Sequence, residues 1–106
     1  MIMKKDVVVG LGEIGLPILK LFSKTEKIVG YDTNKKLMNE ANFNKFKNFP
    51  TSFMHVAIPV TKKFDSNLIE LYEKFQPECI VIHSTIPPGT TEKIQNKINS
   101  PLIYSA

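Results

Sequence analysis

The chain has 106 residues, 42% of them hydrophobic, which suits one small globular domain and leaves little room for a second. Its formal charge is +4 and every basic residue is lysine, which weakens a nucleic-acid reading because arginine supplies the bidentate base and phosphate contacts. No window approaches the ~18 uninterrupted apolar residues of a membrane helix, the N-terminus carries no secretory pattern, and a single cysteine, Cys79, cannot close an internal disulfide, so a cytoplasmic protein is expected.

Short apolar runs alternate with amphipathic segments along the chain. Val7-Val8-Val9 is the continuous β-branched run of a strand buried on both faces. A glycine-rich turn follows, then Ile14, Ile18, Leu21 and Phe22 at helical spacing, predicting a helix over about residues 13–24 with Pro17 tolerated near its first turn. Lys27 to Tyr31 reads as a second strand closed by Asp32, and Asn34 to Ala41 as a second helix. The stretch Asn42 to Ser52 is rich in Asn, Lys and Phe, with a short third strand expected near Phe46 to Phe49.

Phe53 to Pro59 reads as a strand, and Leu68, Ile69, Tyr72 and Phe75 mark a helix over about residues 65–76, with Asp65 or Ser66 as N-cap and Pro77 as its stop. Glu78 to His83 is the next strand, Pro87-Pro88-Gly89 a stiff loop, and Ile94 and Ile98 lie on a helix beginning near Thr90 or Thr91. Pro101 to Ser105 is a last short strand. Strict alternation of strand and helix implies a parallel sheet with right-handed crossovers, hence a doubly wound α/β domain of about six strands spanning residues 1–106.

Gly10-Leu11-Gly12-Glu13-Ile14-Gly15 stands between a buried strand and an amphipathic helix, and Asp32 ends the second strand 22 positions after Gly10. Glycine-x-glycine-x-x-glycine in that setting, with an acid about 20 residues on, is the dinucleotide-binding pattern of a Rossmann-type fold. Gly10 permits the tight turn, Gly12 lets a pyrophosphate approach the backbone, and Gly15 lets helix pack on strand. Free N–H groups at the helix start meet the diphosphate. The Asp32 carboxylate accepts from ribose hydroxyls and repels a 2′-phosphate, favouring NAD over NADP. The alternative is that the three glycines only pack a βα turn and Asp32 caps the second helix.

In such sheets the ligand lies beyond the carboxyl ends of the strands. Pro59 and Thr61 follow one such end, Ser84 and Thr85 another, and the hydroxyls are placed for the nicotinamide half. His83 is either a base or a polar strand end, and the lack of an identifiable carboxylate partner favours the latter. His55 reads as structural, at a strand start on the opposite rim, and Cys79 as core. No metal-ligand cluster and no catalytic residue is assigned.

Val9-Gly10-Leu11-Gly12-Glu13-Ile14-Gly15-Leu16-Pro17, Val29-Gly30-Tyr31-Asp32 and His83-Ser84-Thr85-Ile86-Pro87-Pro88-Gly89-Thr90-Thr91 together resemble the N-terminal domain of the nucleotide-sugar 6-dehydrogenases, the UDP-glucose/GDP-mannose dehydrogenase family. The resemblance covers nearly the whole chain except residues 40–52. It implies an NAD-binding domain with pyrophosphate contacts at Glu13 and Ile14, ribose contacts at Asp32 and Lys36, and nicotinamide-side contacts at Thr61 and Thr85. Family members oxidise a primary alcohol to a carboxylate in two hydride transfers through a thiohemiacetal on cysteine. His83 stands where the family has glutamate, and Val60-Thr61 replaces a longer Thr-Pro turn.

The family's second domain supplies the catalytic cysteine, a lysine and the sugar-nucleotide pocket, and no motif here matches them. These residues are therefore expected to bind cofactor without turning over a nucleotide sugar unaided. Such a domain should show an apolar patch near Pro101 to Ala106 and associate as a homodimer. Two other functions stay open: a standalone NAD-binding regulatory module, and the cofactor domain of a β-hydroxyacid or 6-phosphogluconate-type dehydrogenase. The Ser84-to-Thr90 segment argues against the last of these.

Overall fold

The computed structural model describes residues 3–22 and 27–105. Within them the chain forms β1 (Lys5–Val9), α1 (Gly15–Phe22), β2 (Ile28–Tyr31), a single 3-10 turn (Lys35–Leu37), α2 (Glu40–Phe46), β3 (Thr51–Val56), α3 (Phe64–Phe75), β4 (Cys79–Ile82), α4 (Thr90–Gln95) and β5 (Leu102–Tyr104). The strands make one sheet in the order β2-β1-β3-β4-β5 with every pairing parallel. This is the doubly wound α/β arrangement that the alternation predicts. The first helix was expected to run to Lys24, which lies outside the described residues.

The sheet has five strands rather than about six. Phe46 to Phe49 does not add a strand: α2 runs to Phe46 and a turn follows, Phe49 N–H donating to the Phe46 carbonyl at 3.1 Å. Phe43 and Phe46 are three residues apart, and both pack against the core from a helix; a strand would have turned them to opposite faces. Asn39 caps α2, its side chain accepting from Asn42 N–H at 3.1 Å. The helix expected over Asn34 to Ala41 is thus split into the short turn, capped by Asn34, and α2. Neither expected cap serves α3: Lys63 occupies the N-cap without a side-chain bond.

Handedness distributes the helices. The connection from β1 to β2 runs one way across the sheet and the other three run the opposite way, so right-handed crossovers put α1 on one face and α2, α3 and α4 on the other. The larger core lies on the three-helix side, where Val7, Val9, Val29, Met54, Val56, Ile80 and Ile82 meet Phe64, Leu68 and Ile94. On the α1 side Val8, Leu11 and Ile28 meet Ile18, Leu19 and Phe22. The register carries that side from Val8 to His55, Val81 and Ile103. There Phe53 is 42% exposed and Ile103 is 50% exposed, so the sheet is only half covered. Among the described residues no helix is long and apolar enough to cross a membrane.

His55 sits within β3 rather than at a strand start, and its ring finds a partner that the sequence did not suggest. His55 Nδ1 and His83 Nε2 are 2.9 Å apart, and the ring centroids are 5.2 Å apart at an interplanar angle of 24°. The two rings meet nitrogen to nitrogen and share a hydrogen bond, with Phe22 stacked on His55 from α1. Burial holds the His83 imidazole below its ordinary value, favouring the neutral ring that such a bond needs. Cys79, at the start of β4, is half-buried rather than core, and burial pushes its thiol up, away from the reactive thiolate.

Candidate functional site

The glycine loop leaves the carboxyl end of β1, near the point where successive connections diverge to either side of the sheet. Gly10 turns the chain at φ +90°, and a Cβ there would stand 2.5 Å from the Ala57 carbonyl oxygen. At Gly15 a Cβ would come within 1.6 Å of the Gly10 carbonyl oxygen. Internal packing alone demands glycine at these two positions. Gly12 is different. Nothing lies within 4 Å of a Cβ built on it, and its φ is not in the left-handed region. No contact and no backbone constraint of this chain calls for glycine at that position, and the space a side chain would fill is open.

Asp32 ties the loop to the end of β2. Its Oδ2 accepts from Leu11 N–H at 2.8 Å and its Oδ1 accepts from Asn34 N–H at 2.8 Å. Asn34 and Asn39 cap the following turn and helix, so Asp32 does not serve as the helix cap of the alternative reading. Each carboxylate oxygen has two acceptor positions, so Asp32 retains capacity for further donors. Leu11 is buried and its N–H is taken, which makes it a brace for the loop. Among the described residues the N–H groups of Gly12, Glu13 and Ile14 donate no backbone hydrogen bond, and all three residues are exposed. Lys36 is exposed in the 3-10 turn, its N–H donating to the Asn34 side chain.

The loops after β3 and β4 face the same rim. Thr61 is exposed, and its Oγ1 accepts from Lys63 N–H at 3.2 Å, starting α3. Ser84 is buried, and its hydroxyl donates to the Ile58 carbonyl at 2.7 Å, fastening the two loops together. Thr85 and Pro59 are exposed. A cavity of about 400 Å³ opens between Gly10, Asp32, Ile58, Pro59 and Thr61, and its far wall is a stripe of α3 made of Asn67, Glu70, Leu71 and Lys74. A second cavity of about 330 Å³ lies between the loops after β3 and β4, beside Thr61, Pro88 and Lys93. Gly10, Asp32, Pro59 and Thr61 thus share one cleft, whereas the rest of the glycine loop from Leu11 to Gly15, Lys36, Ser84 and Thr85 border neither cavity.

The α3 stripe had no role in the sequence reading. Its spacing of 67, 70, 71 and 74 does mark one helix face, but only the strand order shows that this face looks toward β2. Among the described residues no group of three or more His, Cys, Asp or Glu side chains could hold a metal ion.

Compared with curated proteins, the chain is 32% identical over 83 residues to the UDP-N-acetyl-D-glucosamine 6-dehydrogenase of Salmonella typhi, a match that covers 78% of this chain and 18% of that protein. The chain therefore spans less than a fifth of that relative's length. No family model matches the chain, and no solved structure matches it.

Proposed function

We propose that this chain binds NAD and forms the cofactor-binding part of a cytoplasmic oxidoreductase resembling the nucleotide-sugar 6-dehydrogenases. The observation that carries the reading is Gly12, a glycine that nothing inside the protein requires, at the place where a diphosphate must approach the backbone. The partial similarity to a 6-dehydrogenase of a UDP-sugar supports the same assignment. It also supports a sugar nucleotide as the substrate class of the whole enzyme.

In this reading Gly12, Glu13 and Ile14 offer backbone N–H groups to the pyrophosphate at the positive end of α1. Gly10 and Gly15 hold the loop tight enough for that approach, and Leu11 fixes its bearing through Asp32. Asp32 uses its remaining acceptor positions for the ribose hydroxyls, with Lys36 at the edge of the same site. Thr61 and Thr85 serve the nicotinamide side, and Ser84 and Pro59 stiffen the loops that carry them. A nicotinamide dinucleotide held there would supply the hydride-accepting chemistry for oxidation of an alcohol. The chain's own residues bind and orient it, and none is assigned a catalytic step.

Calorimetric titration with NAD, NADP and ADP-ribose, on the natural chain and on Asp32→Ala, tests this. NAD and ADP-ribose should bind, with NADP about tenfold weaker, and Asp32→Ala should weaken NAD about tenfold, as loss of a charge-assisted hydrogen bond implies. Failure of NAD and ADP-ribose to bind, or equal NADP binding by both forms, refutes the reading.

A further inference from the structure

The 400 Å³ cleft has an unusual wall. Asn67, Glu70, Leu71 and Lys74 fall at the three- and four-residue spacing of one α3 face, turned toward Tyr31 and Asp32. Lys74 is engaged: its ammonium lies 5.3 Å from the Tyr31 ring centroid and 5.8 Å from that of Phe75. The side chains of Glu70 and Asn67 are different. Among the described residues neither takes part in a hydrogen bond or ion pair. Apolar surface comes from Leu71, Ile58 and Tyr31, the last buttressed by Phe43 and Phe75 at centroid distances of 5.8 and 5.3 Å. A partly apolar cleft with an uncommitted acceptor and an uncommitted amide on its wall has the chemistry of a binding site for a heteroaromatic ring.

Resting on the dinucleotide reading above, the geometry points to α3 as the element that reads the base: Glu70 is a specificity-determining residue that accepts the 6-amino group of adenine. That amino group is the one donor on adenine's base edge, flanked by ring-nitrogen acceptors. Asn67 can donate to such an acceptor from the preceding turn of α3. Leu71 and Ile58 cover the ring, and Asp32, in the same cleft, takes the attached ribose. A base whose 6-amino group is blocked meets the Glu70 carboxylate with a lone pair instead of an N–H, and loses affinity.

The test uses NAD and 1,N6-etheno-NAD, whose fused ring removes both amino hydrogens, titrated into the natural chain and into Glu70→Gln. Glu70 is exposed on α3, and glutamine keeps its shape while replacing one acceptor oxygen by a donor. The natural chain should prefer NAD by about tenfold, the scale of a charge-assisted hydrogen bond. Glu70→Gln should narrow that ratio to about threefold or less, chiefly by weakening NAD. Tight NAD binding with no preference, or a preference that Glu70→Gln leaves unchanged, overturns the role of Glu70 and leaves the dinucleotide reading standing. Failure of both ligands to bind the natural chain overturns the two together.

Discussion

Gly12 and Gly15 belong to one motif and answer to different demands. A methyl group at Gly15 would overlap the Gly10 carbonyl, so Gly15→Ala should cost more than about 4 kcal/mol or prevent folding, as severe backbone overlap does. Gly12→Ala meets open space and should leave stability within about 0.5 kcal/mol while weakening NAD at least tenfold. Chemical denaturation and calorimetric titration of the two variants check this. A Gly12→Ala protein that binds NAD as well as its parent would remove the argument for a diphosphate at the loop.

The bend between β1 and α1 and the place of Asp32 at the end of β2 were legible in the sequence because both are encoded in local spacing. The engagement of Ser84 with Ile58, 26 residues away, was not, nor was that of His83 with His55, 28 residues away. These bonds depend on strands becoming neighbours, and no local pattern announces them.

Among the elements, α3 anchors the domain. Leu68 is fully buried in the larger core, whereas Asn67, Glu70 and Leu71 border the cleft. Leu68→Ala should destabilise the chain by about 2–5 kcal/mol, measured by denaturant unfolding. It should leave the preference for NAD over etheno-NAD intact in the folded fraction, since the stripe that faces the cleft is untouched. α3 was readable because Leu68, Ile69, Tyr72 and Phe75 repeat at helical intervals. Residues 46–49 were misread because aromatic residues favour strands, while the deciding information was the three-residue spacing of Phe43 and Phe46 and the Asn39 cap. The N-cap of α3 was misplaced for a related reason. Asp65 and Ser66 have the right chemistry, but Thr61 already turns the chain ahead of them.

At the scale of the molecule, alternation of strand and helix foretold the parallel sheet but not which parts of it would be covered. Coverage follows from strand order, since each crossover's face depends on its direction of travel, and strand order is a long-range property. Of the apolar patch expected near the last strand, Ile103 lies exposed on the side that α1 leaves bare, where Phe53 is exposed as well, whereas Tyr104 is exposed on the opposite face.

That bare side has a practical consequence for anyone measuring stability. Reporter dyes such as anilinonaphthalene sulfonate light up on accessible apolar surface, and the folded protein already offers them Phe53 and Ile103 on one face of the sheet. A dye-monitored melt should therefore begin bright and register little rise on heating. Circular dichroism is the sounder gauge, because the chain has no tryptophan to report by fluorescence. Replacing Phe53 and Ile103 together by serine should darken the native baseline severalfold at 25 °C, and an unchanged baseline would mean that the dye lodges elsewhere.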